Sequence, residues 1–292
     1  MNKASFKDEI HLWMASGFFG DAMIDVCKAK RALDFLKKES AVIHTGKRYF
    51  HPNKEPYYFP ANQTLLSFFN CVDFVKGIIF DVDQNDLHGT VSRSNYDVQF
   101  PEYFTENWVH DIRENVNFDL FPQRISSSFF NYNDDKLAVI QPISLKNKPN
   151  DQFEQYYLPV WNQTVESLKA NNYKIILIGG EKDEEAVNKY FPYLVKDNNI
   201  LNLINKLTFF ESLDLIWNRS SLNISCCSWL AWYSKAAGIN TAMASGFDMV
   251  HNLQNIRDYK LKVVGNDNIF FMNYACEKED CDSSISDWIN TL

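Results

Sequence analysis

An α/β protein with parallel sheets, built from two strand–helix halves, is the fold class that the sequence predicts. Three observations point there. Short apolar runs ended by Pro, Gly or Ser, such as Leu137-Ala-Val-Ile-Gln and Lys174-Ile-Ile-Leu-Ile, read as strands buried on both faces. Stretches of about ten residues with helical character separate them, as crossover connections between parallel strands require. The theme occurs on both sides of the polar stretch Asn131-Tyr-Asn-Asp-Asp135.

In the first half, residues 11–16 form a strand that runs into Gly17 and Gly20. Asp21 then opens a helix whose apolar positions Met23, Val26, Ala29, Leu33 and Leu36 keep a 3.6-residue period. Residues 41–44 and 77–82 are the next strands, and 45–63, rich in Pro, Tyr and His, reads as a long surface loop. The second half is clearer. A strand at 136–142 ends at Pro142, a polar loop covers 144–151, and a helix runs over 152–170. Strands at 174–180, 200–204, 222–227 and 241–245 alternate with helices at 183–190, after Thr208 and at 228–237. Thr208 with Glu211 three residues on is a capping box. Residues 283–292 form a short amphipathic helix. The expected organisation is therefore a Rossmann-like domain over 1–133, a second over 134–280 and a C-terminal helix over 281–292.

Composition narrows the function classes. The 292 residues are 46% hydrophobic and 23% charged, enough for a substantial core and too apolar for global disorder. A net charge of −8 without a long basic stripe speaks against a nucleic-acid backbone as the main partner. No 18-residue apolar run occurs, so no membrane span is expected. The N-terminus lacks an apolar leader core. The expectation is a cytoplasmic protein whose six Cys are mostly reduced.

In open parallel sheets ligands bind beyond the carboxyl ends of the strands. That places the candidate site in the loops at 16–21, 141–148, 179–182 and 225–229, with the ligand expected in a cleft between the two domains. Gly20-Asp21 is a strand-to-helix turn, where glycine allows close approach and Asp21 can accept a proton or simply cap the helix. Gly179-Gly180-Glu181 can admit a ribose or base, or be a plain tight turn. Lys146 can neutralise a diphosphate leaving group, and the helix after Ser225–Ser228 offers backbone N–H groups to phosphate.

These landmarks resemble a family. The Gly20-Asp21 turn, Val139-Ile-Gln-Pro-Ile-Ser144, Leu177-Ile-Gly-Gly-Glu181 and the strand–helix at 222–238 look like the four landmarks of the ADP-heptose transferase superfamily, glycosyltransferase family nine. Ser228-Trp-Leu-Ala-Trp232, Ala242-Met-Ala-Ser-Gly-Phe247 and the late cysteines before Ser286-Asp-Trp288 are similar to its autotransporter heptosyltransferase branch. The resemblance implies the GT-B type of fold, with two Rossmann-like domains and a cleft between them. It implies an inverting sugar transfer from a nucleotide-diphosphate sugar, with Asp21 as general base and no cofactor required. The first domain would bind the acceptor and the second the donor. Gly20, Gln141, Ser144, Lys146, Gly179, Gly180, Glu181, Ser225, Ser228 and Trp229 would form the donor site. The family carries Asp-Ser/Thr-Gly and then His at its last landmark, where Ser225-Cys-Cys-Ser-Trp stands here, so the donor base stays open.

Other readings stand beside this one. Asp81-Val-Asp83 at a strand end could hold a divalent cation against a diphosphate. Cys276 and Cys281, with Cys226 and Cys227, could make a thiolate metal site, and the branch resembled holds a metal through late cysteines. The acceptor could be a glycan, a protein side chain or a hydroxymethylated base in phage DNA. A binding module that has lost turnover is the non-catalytic alternative.

Overall fold

In the computed structural model the described residues are 9–14, 29–30, 33–34, 36–46, 69, 72–82, 98–100, 136–143, 157–226, 228–244, 269–272 and 284–292. The chain divides into two compact units, Met1–Pro122 with Lys260–Gly265, and Gln123–Tyr259 with Asn266–Leu292. The polar stretch 131–135 lies outside the described residues.

The first unit holds a sheet of β1 (Glu9–Met14), β2 (Ser40–Gly46), β3 (Val75–Val82) and β4 (Val98–Phe100). Their order is β3-β2-β1-β4 and every pairing is parallel. Ile10, Ala41, Val42 and Ile43 are buried, as strands covered on both faces require. In the helix before β2, Ala29 and Leu33 are buried as the period predicts, but Leu36 is 38% exposed. Lys37 takes a left-handed φ of 53° and the Lys38 N–H returns to the Leu33 carbonyl at 2.9 Å. The helix thus ends before Leu36 can be covered. Lys30 and Asp34 form an i,i+4 ion pair on its outer side.

The second unit is a six-stranded parallel sheet flanked by helices on both faces. Its strands are β5 (Leu137–Gln141), β6 (Lys174–Leu177), β7 (Ile200–Asn202), β8 (Leu222–Cys226), β9 (Asn240–Ala244) and β10 (Ile269–Met272). The order is β10-β9-β8-β5-β6-β7. The chain steps outward from β5 to β7, returns across the sheet, and steps outward again from β8 to β10. The reversal lies between β5 and β8, which makes their carboxyl ends the topological switch point.

Among the described residues this unit has the helices α1 (Leu158–Ala170), α2 (Glu181–Tyr190), α3 (Pro192–Lys196), α4 (Phe209–Asp214), α5 (Trp229–Ala236) and α6 (Ile285–Asn290). Pro159 stands in the first turn of α1, where its missing N–H costs nothing. Asn172, at φ 60°, closes the same helix and turns the chain into β6. The Thr208–Glu211 capping box forms as expected, with Thr208 N–H on Glu211 Oε2 at 2.7 Å and Glu211 N–H on Thr208 Oγ1 at 3.3 Å. After α4 the backbone widens into a π-helical turn, Leu215–Arg219.

All five side chains of β5 are buried. On one face Ala138 and Ile140 pack with Tyr157, Trp161 and Phe191 from the helical layer. Those three rings meet tilted or edge to face at 6.1 to 6.4 Å, the arrangement that ring quadrupoles favour. On the other face Leu137, Val139, Ile176 and Ile178 meet Leu215, Ile216 and Leu230. Each fully buried aliphatic side chain here contributes roughly 1.5–3 kcal/mol.

Candidate functional site

Gln141 ends β5, pairs in register with Ser225 of β8, and is only 4% exposed. Both ends of its amide are engaged. Nε2 donates to Asp183 Oδ2 at 3.2 Å, and Oε1 accepts from Ser228 Oγ at 2.7 Å and, more weakly, from Cys226 Sγ at 3.8 Å. The partners dictate this orientation, because an ionised carboxylate only accepts whereas a hydroxyl or thiol can donate. One side chain therefore links the loop after β6 to the loop after β8, across the switch point.

The β6 side of this link is a short glycine turn. Gly180 is the N-cap of α2, with no side chain to cap it, and Asp183 at N3 accepts the Gly180 N–H at 2.9 Å. That is the return half of a capping box, made by carboxylate alone. Gly179 lies so close that an added Cβ would sit 3.1 Å from Asp183 Cβ. The Gly179 carbonyl accepts the Asn205 N–H at 2.9 Å, which fixes the turn to the chain after β7. Glu181 follows as the exposed first residue of α2.

On the β8 side, Ser228 is the N-cap of α5 with extended backbone (φ −135°, ψ 176°). Its hydroxyl goes to Gln141, and it makes no side-chain capping bond to α5. Ser225 and Asn223 are fully buried. Asn223 Nδ2 donates to Ser225 Oγ and to the Leu230 carbonyl, each at 3.4 Å, and its Oδ1 has no partner among the described residues. Half-buried Trp229 turns its ring into an aromatic cluster, 4.8 Å from Phe209 and 5.5 Å from Tyr233.

Of the residues expected to form the donor site, Gln141, Gly179, Gly180, Glu181, Ser225, Ser228 and Trp229 all lie at or just after the carboxyl ends of β5, β6 and β8. Gly20, Asp21, Ser144 and Lys146 lie outside the described residues, as do Asp83, Cys227, Cys276 and Cys281. Asp81 falls within β3. Among the described residues no three His, Cys, Asp or Glu side chains gather as a metal site, and no helix is long and apolar enough to cross a membrane. Asp183 is the member of the network that sequence reasoning missed. Its signal was there: Gly180-x-x-Asp183 repeats the spacing of Thr208-x-x-Glu211.

Solved structures with this arrangement of sheets and helices are sugar transferases of the GT-B type, and the chain has that α/β fold. A family-nine glycosyltransferase from Veillonella parvula DSM 2008 superposes with a TM-score of 0.56 at 10% identity, over 96% of this chain and 93% of that one. The Escherichia coli ADP-heptose lipopolysaccharide heptosyltransferase II gives 0.52 at 12% identity over 96% of both chains. The E. coli heptosyltransferase WaaC with ADP gives 0.52 at 10% identity, over 90% of this chain and 92% of that one. No family model and no curated protein matches the sequence.

Proposed function

We propose that this chain is a glycosyltransferase that moves a sugar from a nucleotide-diphosphate donor to a hydroxyl acceptor. One observation carries the proposal: within a transferase fold, a polar network of Gln141, Asp183, Gly180 and Ser228 joins the strand ends at the switch point, where such sheets take their ligands.

The parts divide by chemistry. The first turn of α5, to which the N-cap Ser228 makes no side-chain bond, presents N–H groups and a positive dipole end to the diphosphate. Lys146 adds a cation as charge develops on the leaving group. Glu181, exposed beside the glycine turn, accepts from the ribose hydroxyls. Asp21 takes the proton of the acceptor hydroxyl, whose oxygen attacks the anomeric carbon as the bond to the diphosphate breaks. A direct displacement of this kind inverts the anomeric centre. No metal takes part in that step.

Adenine nucleotides are the first donors to test, since WaaC is seen with ADP. A thermal-shift series of nucleoside diphosphates and their sugars should pick out one base by a raised melting temperature. With that donor, Asp21→Asn should lower transfer by about 10²–10⁴-fold while donor affinity stays within a few-fold of the parent. Undiminished turnover in Asp21→Asn removes Asp21 from the mechanism. Lipid-linked glycan, protein and hydroxymethylated DNA acceptors, each offered with labelled donor, then distinguish the acceptor class.

A further inference from the structure

Gln141 looks like a ligand contact from sequence, yet its buried amide is spent on protein. Nε2 faces Asp183 and Oε1 faces Ser228 and Cys226. The consequence lies in Ser228. A serine at an N-cap ordinarily turns its oxygen toward the N–H groups of the second and third helical residues, here Leu230 and Ala231 of α5. Its backbone has the extended conformation that such a cap uses, yet no capping bond forms. Instead its Oγ is turned toward Gln141, donating to Oε1 at 2.7 Å. The N-cap serines at Ser284 and, with threonine, at Thr208 make the ordinary bond, at 3.1 and 3.3 Å. What distinguishes Ser228 is the acceptor held beside it by β5.

We infer that Gln141 is a positioning residue: by drawing the Ser228 hydroxyl onto its own carbonyl oxygen it keeps the first turn of α5 uncapped, so that the diphosphate of the donor can take those N–H groups. The assignment rests on the donor site proposed above. Glutamine suits the role because its amide donates to Asp183 with one end and accepts from Ser228 with the other. The carboxylate fixes which end faces which way. Asn223 complements the arrangement by holding the Leu230 carbonyl from below, tethering the same turn to β8.

The test is a small cycle on the full chain. Gln141→Met keeps the length and volume of the side chain but neither hydrogen bond. Titrated with ADP, and in parallel with GDP, UDP and CDP, it should bind the preferred diphosphate about tenfold more weakly than the parent, the loss expected when charge-assisted bonds are blocked. Ser228→Ala can neither cap α5 nor donate to Gln141, so it sets the reference affinity for an uncapped first turn. Added to Gln141→Met, it should raise the affinity from that of Gln141→Met to that of Ser228→Ala alone. A merely structural role for Gln141 gives no such rescue, and a double variant as weak as Gln141→Met overturns the inference.

If Gln141→Met does not melt cooperatively, Ser228→Asn replaces it. Asparagine is neutral and a strong cap, so Ser228→Asn should bind more weakly than Ser228→Ala, and equal affinities overturn the inference. Without nucleotide, amide hydrogen exchange at Leu230 and Ala231 reads the cap directly. It should be slower in Gln141→Met than in the parent, and unchanged exchange overturns the inference. A parent that binds no diphosphate but shows the exchange difference overturns the donor site while the role of Gln141 in holding Ser228 stands.

Discussion

A methyl group added at Gly179 would meet Asp183 Cβ at 3.1 Å and Oδ2 at 3.3 Å, whereas at Gly180 the nearest atom is Asp183 Oδ2 at 3.8 Å. The two adjacent glycines should therefore respond differently to alanine. Gly179→Ala pushes Asp183 away from both the Gly180 N–H and Gln141, and should cost about 1–3 kcal/mol in denaturant unfolding. Gly180→Ala, in ordinary van der Waals contact, should cost under about 1 kcal/mol by the same measurement. Equal effects would mean that Asp183 is not held as described. At this scale the sequence was readable for residue type and silent on partnership. Gly179, Gly180 and Glu181 stood out because they follow a strong apolar strand. Asp183 could have been read as the N3 partner of Gly180, but its contact with Gln141 spans 42 residues, and that link no local pattern encodes.

Among the elements, the end of α1 and the turn before β7 are joined by charge. Lys169 Nζ lies 2.8 Å from Asp197 Oδ2 and 2.9 Å from Glu166 Oε1. The hydrogen bond from Lys169, helped by the Asn199 N–H on Oδ1 at 2.8 Å, holds the Asp197 carboxyl below its ordinary value of 3.8. A depressed carboxyl contributes stability above its unfolded pKa, and that contribution disappears as pH falls through the lower, folded value. Asp197→Asn should thus lower the melting temperature at pH 7 on the order of 1 °C, as befits a partly exposed pair. The gap should close as pH falls below the ordinary carboxylate range and through the lower, folded value. A gap that persists in acid would assign the loss to packing instead of charge.

The elements that sequence patterns caught share a cause. β5 and β6 are built on short apolar runs, β8 alternates Leu and Ile with Asn and Ser, and α4 carries its start signal in Thr208 and Glu211. Those missed are short: β4 has three residues, β10 (Ile-Phe-Phe-Met) four, and α3, after Phe191, five. Leu36 fits its helical period and is still exposed, because the helix stops under it. Periodicity says which face is apolar, not where the neighbouring layer ends.

For the molecule as a whole, likeness to family-nine structures at 10–12% identity shows how much of this fold resides in strand order and alternation of apolar elements. The chemistry proposed for it relies on helix N–H groups and a lysine, so transfer should proceed unchanged in EDTA once a donor is found. Loss of activity with recovery on adding a divalent cation would move the reaction to Asp81 and Asp83, and loss without such recovery would point to tightly held metal at Cys276 and Cys281. The glycine turns and apolar strands made the likeness visible in sequence. The amide at Gln141 that ties them together was visible only as a polar residue at a strand end.

Every strand pairing described is parallel, and none can be closed by a hairpin. The central strand β5 meets β8 only through chain that is 84 residues further on, as in the bond from Ser221 to the Leu137 carbonyl. A ribosome adding about 5–20 residues per second needs roughly 4–17 seconds to supply that partner. For this interval one edge of a largely apolar strand is unmatched as the nascent polypeptide grows. Biogenesis, more than final stability, is where this architecture leaves the chain vulnerable, and slow synthesis would favour capture by a chaperone over productive closure.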